Sequence, residues 1–260
     1  MVDKKVLLLA VVAAIIIAGM LLTPDGDNTA TLRYILNGVG LILIPFIGAW
    51  IGISGAKHFT FKSTLGKALL FISLGVISYG LGTIVFFIYN MFLSTEIAYP
   101  SLADIGFFCM IPLAVYGLFL VLKQIRPKMD AKTIIKVTIL PVVVLAVIFP
   151  FFIYGKIGEN VPWLTKALNI FYPLGDVLFL SIALVILSLT YGSVLFKSLI
   201  VLSIGFIIEA IADFSFAYTA TLGTYYTSCW VDVVYCLAFF TIGLGMYKVY
   251  SSQLKFASKT

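Results

Sequence analysis

The sequence predicts an all-α fold: a polytopic integral membrane protein built as a bundle of eight transmembrane helices. An apolar composition, a low content of charge and hydrophobic stretches of membrane-spanning length lead to this prediction. Of the 260 residues, 62% are hydrophobic and only 11% are charged, whereas roughly a quarter of the residues of a soluble domain are charged. The mean hydropathy is +1.14. This composition excludes a soluble cytoplasmic enzyme, a secreted disulfide scaffold and a disordered chain.

Eight stretches have the roughly 17–25 mostly apolar residues that a spanning helix needs. We predict a single transmembrane domain over residues 1–260, with helices near 6–22, 32–54, 68–92, 103–122, 134–154, 167–189, 198–218 and 230–250. Lys4 and Lys5 precede the first stretch, as in a signal peptide. No A-x-A-like cleavage site follows before Thr23, so we expect this helix to be retained.

The basic residues orient the predicted bundle. One side holds Lys4, Lys5, Lys57, Lys62, Lys67, Lys123, Arg126, Lys128, Lys132, Lys136, Lys197, Lys248, Lys255 and Lys259. The other side holds only Arg33, Lys156 and Lys166. Because cytoplasmic loops carry the excess of Lys and Arg, we predict a cell-membrane protein with both termini in the cytoplasm. The net charge of +6 marks this face, so the expected partner is the lipid bilayer and not nucleic acid.

Short motifs recur along the chain. YPSLAD at 99–104 opens the fourth predicted helix, and YPLGD at 172–176 opens the sixth. SLG at 73–75 returns as SIG at 203–205, 130 residues later, and Asp232 falls two residues short of that spacing from Asp104. These matches predict a parallel four-plus-four repeat, an arrangement found in transporters with sites at the repeat interface.

Five acidic residues lie inside the predicted helices or at their rims: Asp104, Asp176, Glu209, Asp213 and Asp232. The helical rise places the four aspartates in one layer of the outer leaflet and Glu209 closer to the midplane. No Lys or Arg is expected at this depth. The carboxyl groups must therefore be protonated, reach water, bond to Tyr hydroxyls or helix N-termini, or face a cation.

Helix capping is the alternative explanation for Asp104 and Asp176, which we expect near the starts of their helices. Capping does not explain Glu209 and Asp213, which are i,i+4 neighbours on one helix face. We therefore predict a ligand-binding cavity lined by the four aspartates, with Glu209 at its floor.

The candidate walls of this cavity are Tyr172, Tyr218 and Trp230. An interfacial aromatic belt is the alternative explanation for each of these aromatic residues. An acidic and aromatic cavity suits a small cationic or polyhydroxy ligand, and it could also act as a proton sensor.

Missing residue types exclude several chemistries. His58 is the single histidine and is expected in a basic cytoplasmic loop, which excludes haem b between helices and a histidine-based zinc hydrolase. No lysine lies well inside a span, which excludes a retinal Schiff base. Cys109, Cys229 and Cys236 show no metal-ligand spacing, and their pairing stays open. We predict no cofactor and no metal site.

One catalytic motif needs to be considered. YPLGD at 172–176 half-resembles the Gly-x-Gly-Asp motif of intramembrane aspartyl proteases, whose paired carboxyl groups activate water. Pro173 replaces the first glycine and no second motif accompanies it. We therefore predict that the protein is not an enzyme.

Several motifs occur in a characteristic order: PSLAD at 100–104, YPLGD at 172–176, Ala212-Asp213 and WVD at 230–232. This order resembles the membrane input region of seven or eight helices that precedes GGDEF, EAL or histidine-kinase domains in bacterial signalling proteins. The resemblance covers residues 95–245. It implies a sensor-like membrane module. Because no output domain follows in this sequence, we expect either a separate cytoplasmic signalling partner on the basic inner loops or a module that works alone.

The predicted function is therefore a stand-alone membrane sensor or ligand-binding module. The alternative is a small-solute or proton-coupled transporter or channel, which Glu209 near the midplane favours. Few polar residues continue from Glu209 toward the cytoplasm beyond Ser73, Ser78 and Ser203, which disfavours that alternative. The second alternative is a structural membrane subunit.

Overall fold

A computed structural model describes residues 3–24, 26–89, 91, 99–125, 131–153, 160–192 and 196–257. These residues form eight α-helices and no strand: α1 (Lys4–Leu22), α2 (Ala30–His58), α3 (Thr64–Ile88), α4 (Ala103–Ile125), α5 (Ala131–Ile148), α6 (Trp163–Thr190), α7 (Phe196–Thr221) and α8 (Trp230–Ala257). A 3-10 turn (Asp27–Thr29) precedes α2, and a π-helical turn (Phe149–Ile153) continues α5. The all-α prediction is confirmed.

Seven of the helices in the described part of the chain are long and apolar enough to cross a membrane. The exception is α5, which contributes a shorter apolar stretch, Ile139–Phe152. The multi-pass helical prediction is confirmed in this form. The predicted span ends at Phe92 and Tyr154 lie outside the described residues, as do Arg126, Lys128, Lys156 and Lys259 of the charge asymmetry.

Polar caps explain why some helices begin earlier than their apolar stretches. The Asp3 side chain accepts a hydrogen bond from the Lys5 backbone nitrogen at 2.9 Å, before α1. Ser63 accepts one from the Gly66 nitrogen at 3.0 Å, at the start of α3. Such caps satisfy backbone donors that the first turn leaves unpaired. Apolar stretches alone therefore predict helix starts that are too late, at residue 6 for α1 and at residue 68 for α3.

Six helices form a closed ring in which each packs against the next, in the order α2, α3, α4, α6, α7, α8 and back to α2. Helix α1 packs outside this ring against α2 and α8, and α5 packs against α6. The largest fully buried side chains include Phe179, Phe206 and Phe239. Large apolar side chains also face outward, such as Phe119 at 53% and Ile211 at 50% exposure, as expected for helices that contact lipid.

Small residues let neighbouring helices of the ring approach closely. A Cβ atom placed on Gly48 of α2 would lie only 3.3 Å from the Cα atom of Gly243 in α8. In lipid, where no water drives apolar surfaces together, such close packing of backbones is a main source of helix association. The α2–α8 crossing therefore depends on glycine at this point.

The start of α1 and the described end of α8 lie at the same end of the bundle. Lys5 of α1 donates from Nζ to the Ser54 hydroxyl of α2 at 2.6 Å. The Tyr250 ring of α8 lies 5.1 Å from the His58 ring, where α2 ends. We call this the His58 end of the bundle. The candidate site lies toward the opposite end.

Candidate functional site

Asp104 forms a capping box at the start of α4. Its Oδ2 atom accepts a hydrogen bond from the Ser101 backbone nitrogen at 2.6 Å, while the Ser101 hydroxyl accepts one from the Ala103 nitrogen at 3.2 Å. The Tyr172 hydroxyl of α6 donates to Asp104 Oδ1 at 2.9 Å. This pairing of a serine with an acid three residues later satisfies unpaired donors of a helix start. Asp104 thus has a structural role that links α4 to α6.

Asp232 has a similar arrangement in the first turn of α8. Its Oδ2 atom accepts from the Ser228 backbone nitrogen at 2.6 Å, and the Tyr225 hydroxyl donates to Oδ1 at 3.1 Å. The preceding loop is held to α2, because Arg33 Nη2 donates to the Ser228 carbonyl at 2.7 Å. Burial and the Asp232 carboxylate raise the pKa of Tyr225 well above its usual value, so its hydroxyl remains a donor.

The other three predicted acids meet between α6 and α7. Asp176, Glu209 and Asp213 each offer one carboxylate oxygen, and these oxygens all lie within 4.8 Å of one another. We call this group the three-carboxyl cluster. Asp176 and Glu209 are each only 2% exposed, whereas Asp213 is half-buried.

Local helical geometry accounts for this meeting. Glu209 and Asp213 are one turn apart on α7, so they share a face. Helices α6 and α7 are neighbours, and Phe179 packs on Phe206 with ring centroids 5.3 Å apart. Asp176 lies about one turn before Phe179, which brings it opposite the two acids of α7. Asp176 is not near a helix start, because α6 begins at Trp163, so the capping explanation for Asp176 is wrong.

A tyrosine of α8 completes the surroundings of the cluster. The Tyr235 hydroxyl donates to Asp213 Oδ1. The Tyr235 ring lies 6.1 Å from Tyr79, which in turn lies 4.2 Å from Phe239. Neither Tyr235 nor Tyr79 was predicted from the sequence to belong to the site. The available signal was that Tyr235 follows Asp232 by one helical turn and therefore lies deeper on the same face.

The cluster contains oxygen atoms that lack a partner. Within the described part of the chain, Asp176 Oδ1 and Glu209 Oε2 are buried without a hydrogen bond. The basic residues on the same helices are remote: Lys166 and Lys197 precede Asp176 and Glu209 by 10 and 12 residues, roughly 15 and 18 Å of helical rise. Two buried carboxyl groups and a half-buried one in this setting require protons or a bound cation.

The predicted aromatic walls are not all near this cluster. Tyr172 contacts Asp104, as described above. Tyr218 and Trp230 are 60% and 56% exposed and point away from the interior of the bundle. Their assignment to a ligand site stays a prediction. The structure therefore divides the predicted site into two capping acids and one cluster of three.

The cysteines take no part in this site. All three have free thiols, with Cys229 and Cys236 buried and Cys109 partly buried. Cys109 and Cys229 therefore do not form a disulfide in this structure. No cysteine sulfur contributes to a metal-ligand group with the acids among the described residues.

Comparisons with known proteins give no further guide to the site. The chain matches no model of a known protein family, no curated protein and no solved structure.

Proposed function

We propose that this protein is a sensor-like or ligand-binding module of the cell membrane, and that it binds a cation at the three-carboxyl cluster. The single observation that carries this proposal is a cluster of three acids whose carboxylate oxygens lie within 4.8 Å of one another, in which Asp176 Oδ1 and Glu209 Oε2 are buried without a hydrogen-bond partner among the described residues. In a membrane-embedded chain, buried ionisable groups are costly and generally serve a function. The candidate cations are a proton, a metal ion and the positive group of a small amine.

The proposed topology has eight spans and both termini in the cytoplasm. It rests on the excess of basic residues at the His58 end, where Lys57, Lys62 and Lys67 lie on or between α2 and α3. The three-carboxyl cluster would then lie in the outer half of the membrane. A cytoplasmic signalling partner, if the resemblance to input regions holds, would contact these basic loops.

Cysteine labelling tests this topology. In a Cys109→Ser background, Lys62→Cys should react with an impermeant maleimide only when the cytoplasmic face is accessible. Lys166→Cys, near the start of α6, should react from the outside. Equal labelling of both positions from one side would contradict the topology.

We also propose the four-plus-four repeat, with α3–α4 corresponding to α7–α8. A Cβ atom on Gly75 would lie 3.1 Å from the Ala114 nitrogen, and one on Gly205 would lie 2.7 Å from the Ile242 nitrogen. Gly205 follows Gly75 by 130 residues, and Ile242 follows Ala114 by 128. The two hairpins therefore cross at corresponding residues.

A second pair of contacts supports the same repeat. A Cβ atom on Gly48 of α2 would lie 3.6 Å from the Phe239 carbonyl oxygen of α8. A Cβ atom on Gly175 of α6 would lie 2.6 Å from the Ile111 Cδ1 atom of α4. Gly175 follows Gly48 by 127 residues, and Phe239 follows Ile111 by 128. The ring order of the helices is compatible with this exchange, because α2 packs on α8 and α6 packs on α4.

Ligand-induced stabilisation tests the proposed function. Purified protein in nanodiscs is heated in the presence of metal ions, amines or sugars and over a range of pH, since a ligand that binds only the native state raises the unfolding temperature. At least one cation or a change of pH should shift this temperature in wild type but not in Asp176→Asn/Asp213→Asn. Asp3→Asn, a carboxyl-to-amide change at the His58 end, is the matched control. A double variant that responds like wild type would overturn the proposal.

A proton-coupled transporter is the second candidate. The observation that favours it is Ser181, whose buried hydroxyl has no hydrogen-bond partner in the described residues and lies five residues beyond Asp176 on α6. A polar group at this depth could extend a path from the cluster toward the His58 end. Proton-driven solute flux in proteoliposomes that is lost in Glu209→Gln would favour this function over a sensor.

A further inference from the structure

We infer that the three-carboxyl cluster is a binding site for one divalent metal ion of the hard, oxygen-preferring class, such as Mn²⁺, Mg²⁺ or Ca²⁺. This inference rests on the proposed function, because it specifies the cation. It also goes beyond the sequence prediction, which considered His and Cys as metal ligands and named no metal site.

The spacing of the carboxylate oxygens fits a single ion. The three oxygens, one each from Asp176, Glu209 and Asp213, lie within 4.8 Å of one another. Oxygen ligands lie about 2.0–2.1 Å from Mg²⁺ and about 2.3–2.6 Å from Ca²⁺, so two ligands on opposite sides of one ion are roughly 4–5 Å apart. An ion between the oxygens could therefore contact all three with only small side-chain adjustments.

The unpaired oxygens indicate that a ligand is needed. Asp176 Oδ1 and Glu209 Oε2 belong to side chains that are 98% buried, and neither has a hydrogen-bond partner in the described residues. Buried polar atoms without partners are uncommon in native proteins and costly. The two atoms come from different helices, α6 and α7, and belong to acids that meet in the three-carboxyl cluster. A bound ion would satisfy both at once.

Tyr235 holds the third ligand in place. It donates its hydroxyl hydrogen to Asp213. Its aromatic ring lies 6.1 Å from that of Tyr79 in α3. Hydrogen bonds of this kind orient metal-binding carboxylates and typically change metal affinity by about 10–100-fold when removed. Tyr235 is therefore a positioning residue, and it does not itself contact the ion.

The chemistry of the site selects the class of ion. Carboxylate oxygens without imidazole or thiolate favour Mg²⁺, Ca²⁺ and Mn²⁺ over Zn²⁺ and Cu²⁺. One divalent ion lowers the charge of three carboxylates from −3 to −1, and the Tyr235 hydroxyl stabilises part of the remainder. Asp213 is half-buried, whereas the other two acids of the cluster are buried.

Electron paramagnetic resonance of Mn²⁺ tests this inference directly. Full-length protein in nanodiscs is stripped with a chelator and titrated with Mn²⁺, and the free-ion signal gives the bound fraction. We expect one saturable Mn²⁺ per chain with a Kd below about 1 mM, the upper limit of oxygen-ligand cation sites, and competition by Mg²⁺ or Ca²⁺. Tyr235→Phe should weaken binding about 10-fold, and Asp3→Asn should bind like wild type.

Variants of the ligands complete the test. Asp176→Asn and Glu209→Gln should each abolish saturable binding, and size-exclusion chromatography verifies that each variant is folded. If either variant misfolds, the wild-type stoichiometry and competition still decide the inference. Absence of saturable Mn²⁺ binding in wild type, or its retention in both ligand variants, would overturn the metal inference.

The outcome also separates this inference from the proposed function. If Mn²⁺ does not bind but protons or amines stabilise wild type and not Asp176→Asn/Asp213→Asn, the metal inference is wrong and the cation-binding function stands. If neither metals nor any other cation has a cluster-dependent effect, both are wrong.

Discussion

The α3–α4 and α7–α8 hairpins share their close packing but differ in the polar residues that they bury. On α3, Tyr79 and Thr83 are buried at 8% and 4% exposure. The residues 130 positions later, on α7, are Glu209 and Asp213. Under the proposed repeat, the α3–α4 hairpin thus has a tyrosine and a threonine at the two positions where the α7–α8 hairpin has two acids. Packing of this hairpin does not require carboxyl groups.

The same contrast extends to the neighbouring helices. Ala49 of α2 precedes Asp176 of α6 by 127 residues, the spacing that relates Gly48 to Gly175, and it is buried at 1% exposure. Under the proposed repeat, the three acids of the cluster therefore all correspond to uncharged residues in the first half. A binding role explains this asymmetry, because a single ion needs only one set of ligands.

The capping acids show the opposite behaviour. Asp104 and Asp232 are 128 residues apart, and each accepts a hydrogen bond from a serine backbone nitrogen at 2.6 Å. Under the proposed repeat, both halves thus keep an acid where a helix start must be capped. Under the proposed repeat, the capping acids thus occur twice in the fold, whereas the acids of the three-carboxyl cluster occur once.

The largest effect is expected from filling the close crossing of each hairpin. A Cβ atom on Gly245 would lie 2.4 Å from the Leu202 Cα atom, and one on Gly117 would lie 2.9 Å from the Ile72 nitrogen. Since backbone atoms cannot move aside cheaply, Gly245→Val and Gly117→Val should each cost roughly 3 kcal/mol or more. Thermal unfolding in nanodiscs measures this loss, with Leu81→Val, which is 52% exposed, as the control. If only one of the two variants is destabilised, the hairpins do not correspond.

Loss of the capping acids should have an intermediate effect in both halves. Asp104→Ala and Asp232→Ala each remove a capping carboxylate and leave a tyrosine hydroxyl without its partner, so each should lower the unfolding free energy by about 1–2 kcal/mol. Asp104→Asn should retain part of this stability, because its amide oxygen can still accept a hydrogen bond. Chemical or thermal unfolding provides the measurement. An alanine variant as stable as wild type would show that these acids are not structural.

Exchange of cluster residues for those of the first half should have a smaller effect on stability. Asp176→Ala/Asp213→Thr removes two uncompensated carboxyl groups but leaves the Tyr235 hydroxyl without its acceptor, and these effects oppose each other. In metal-free buffer the double variant should therefore unfold within about 1 kcal/mol of wild type. It should also lose any stabilisation by cations. A variant that unfolds far more easily would assign the acids a structural role and contradict the comparison.

A similarly small effect is expected at Tyr225. Tyr225→Phe removes one hydrogen bond to Asp232 and should cost about 1 kcal/mol near neutral pH. The pKa of Tyr225 is raised in the folded protein, so the unfolded chain ionises first, near pH ~10. The advantage of wild type over the variant should therefore be lost as pH rises above that value. Unfolding curves at neutral and alkaline pH measure this, and a difference that grows with pH would contradict the assignment.

Much of the fold was predictable because hydropathy is a local property of the chain. The predicted starts of the fourth and eighth helices, at Ala103 and Trp230, coincide with α4 and α8. Helices α2 and α6 run beyond their predicted limits, because helical hydrogen bonding continues through polar residues such as Lys57 and Lys166 that an apolar stretch excludes. The pairing of Glu209 with Asp213 was likewise predictable from helical periodicity alone.

The composition of the site was decided by the tertiary structure. Depth estimates place Asp104, Asp176, Asp213 and Asp232 in one layer, but depth along a helix does not specify which helices are neighbours. Closure of the ring brings Asp176 of α6 to α7 and turns Tyr235 of α8 toward Asp213. Hydropathy and residue type were sufficient to predict an apolar bundle of helices and the acids within it. Only the packing of one helix against another decided which acids cap helices and which share a site, because those distances depend on contacts between residues far apart in the chain.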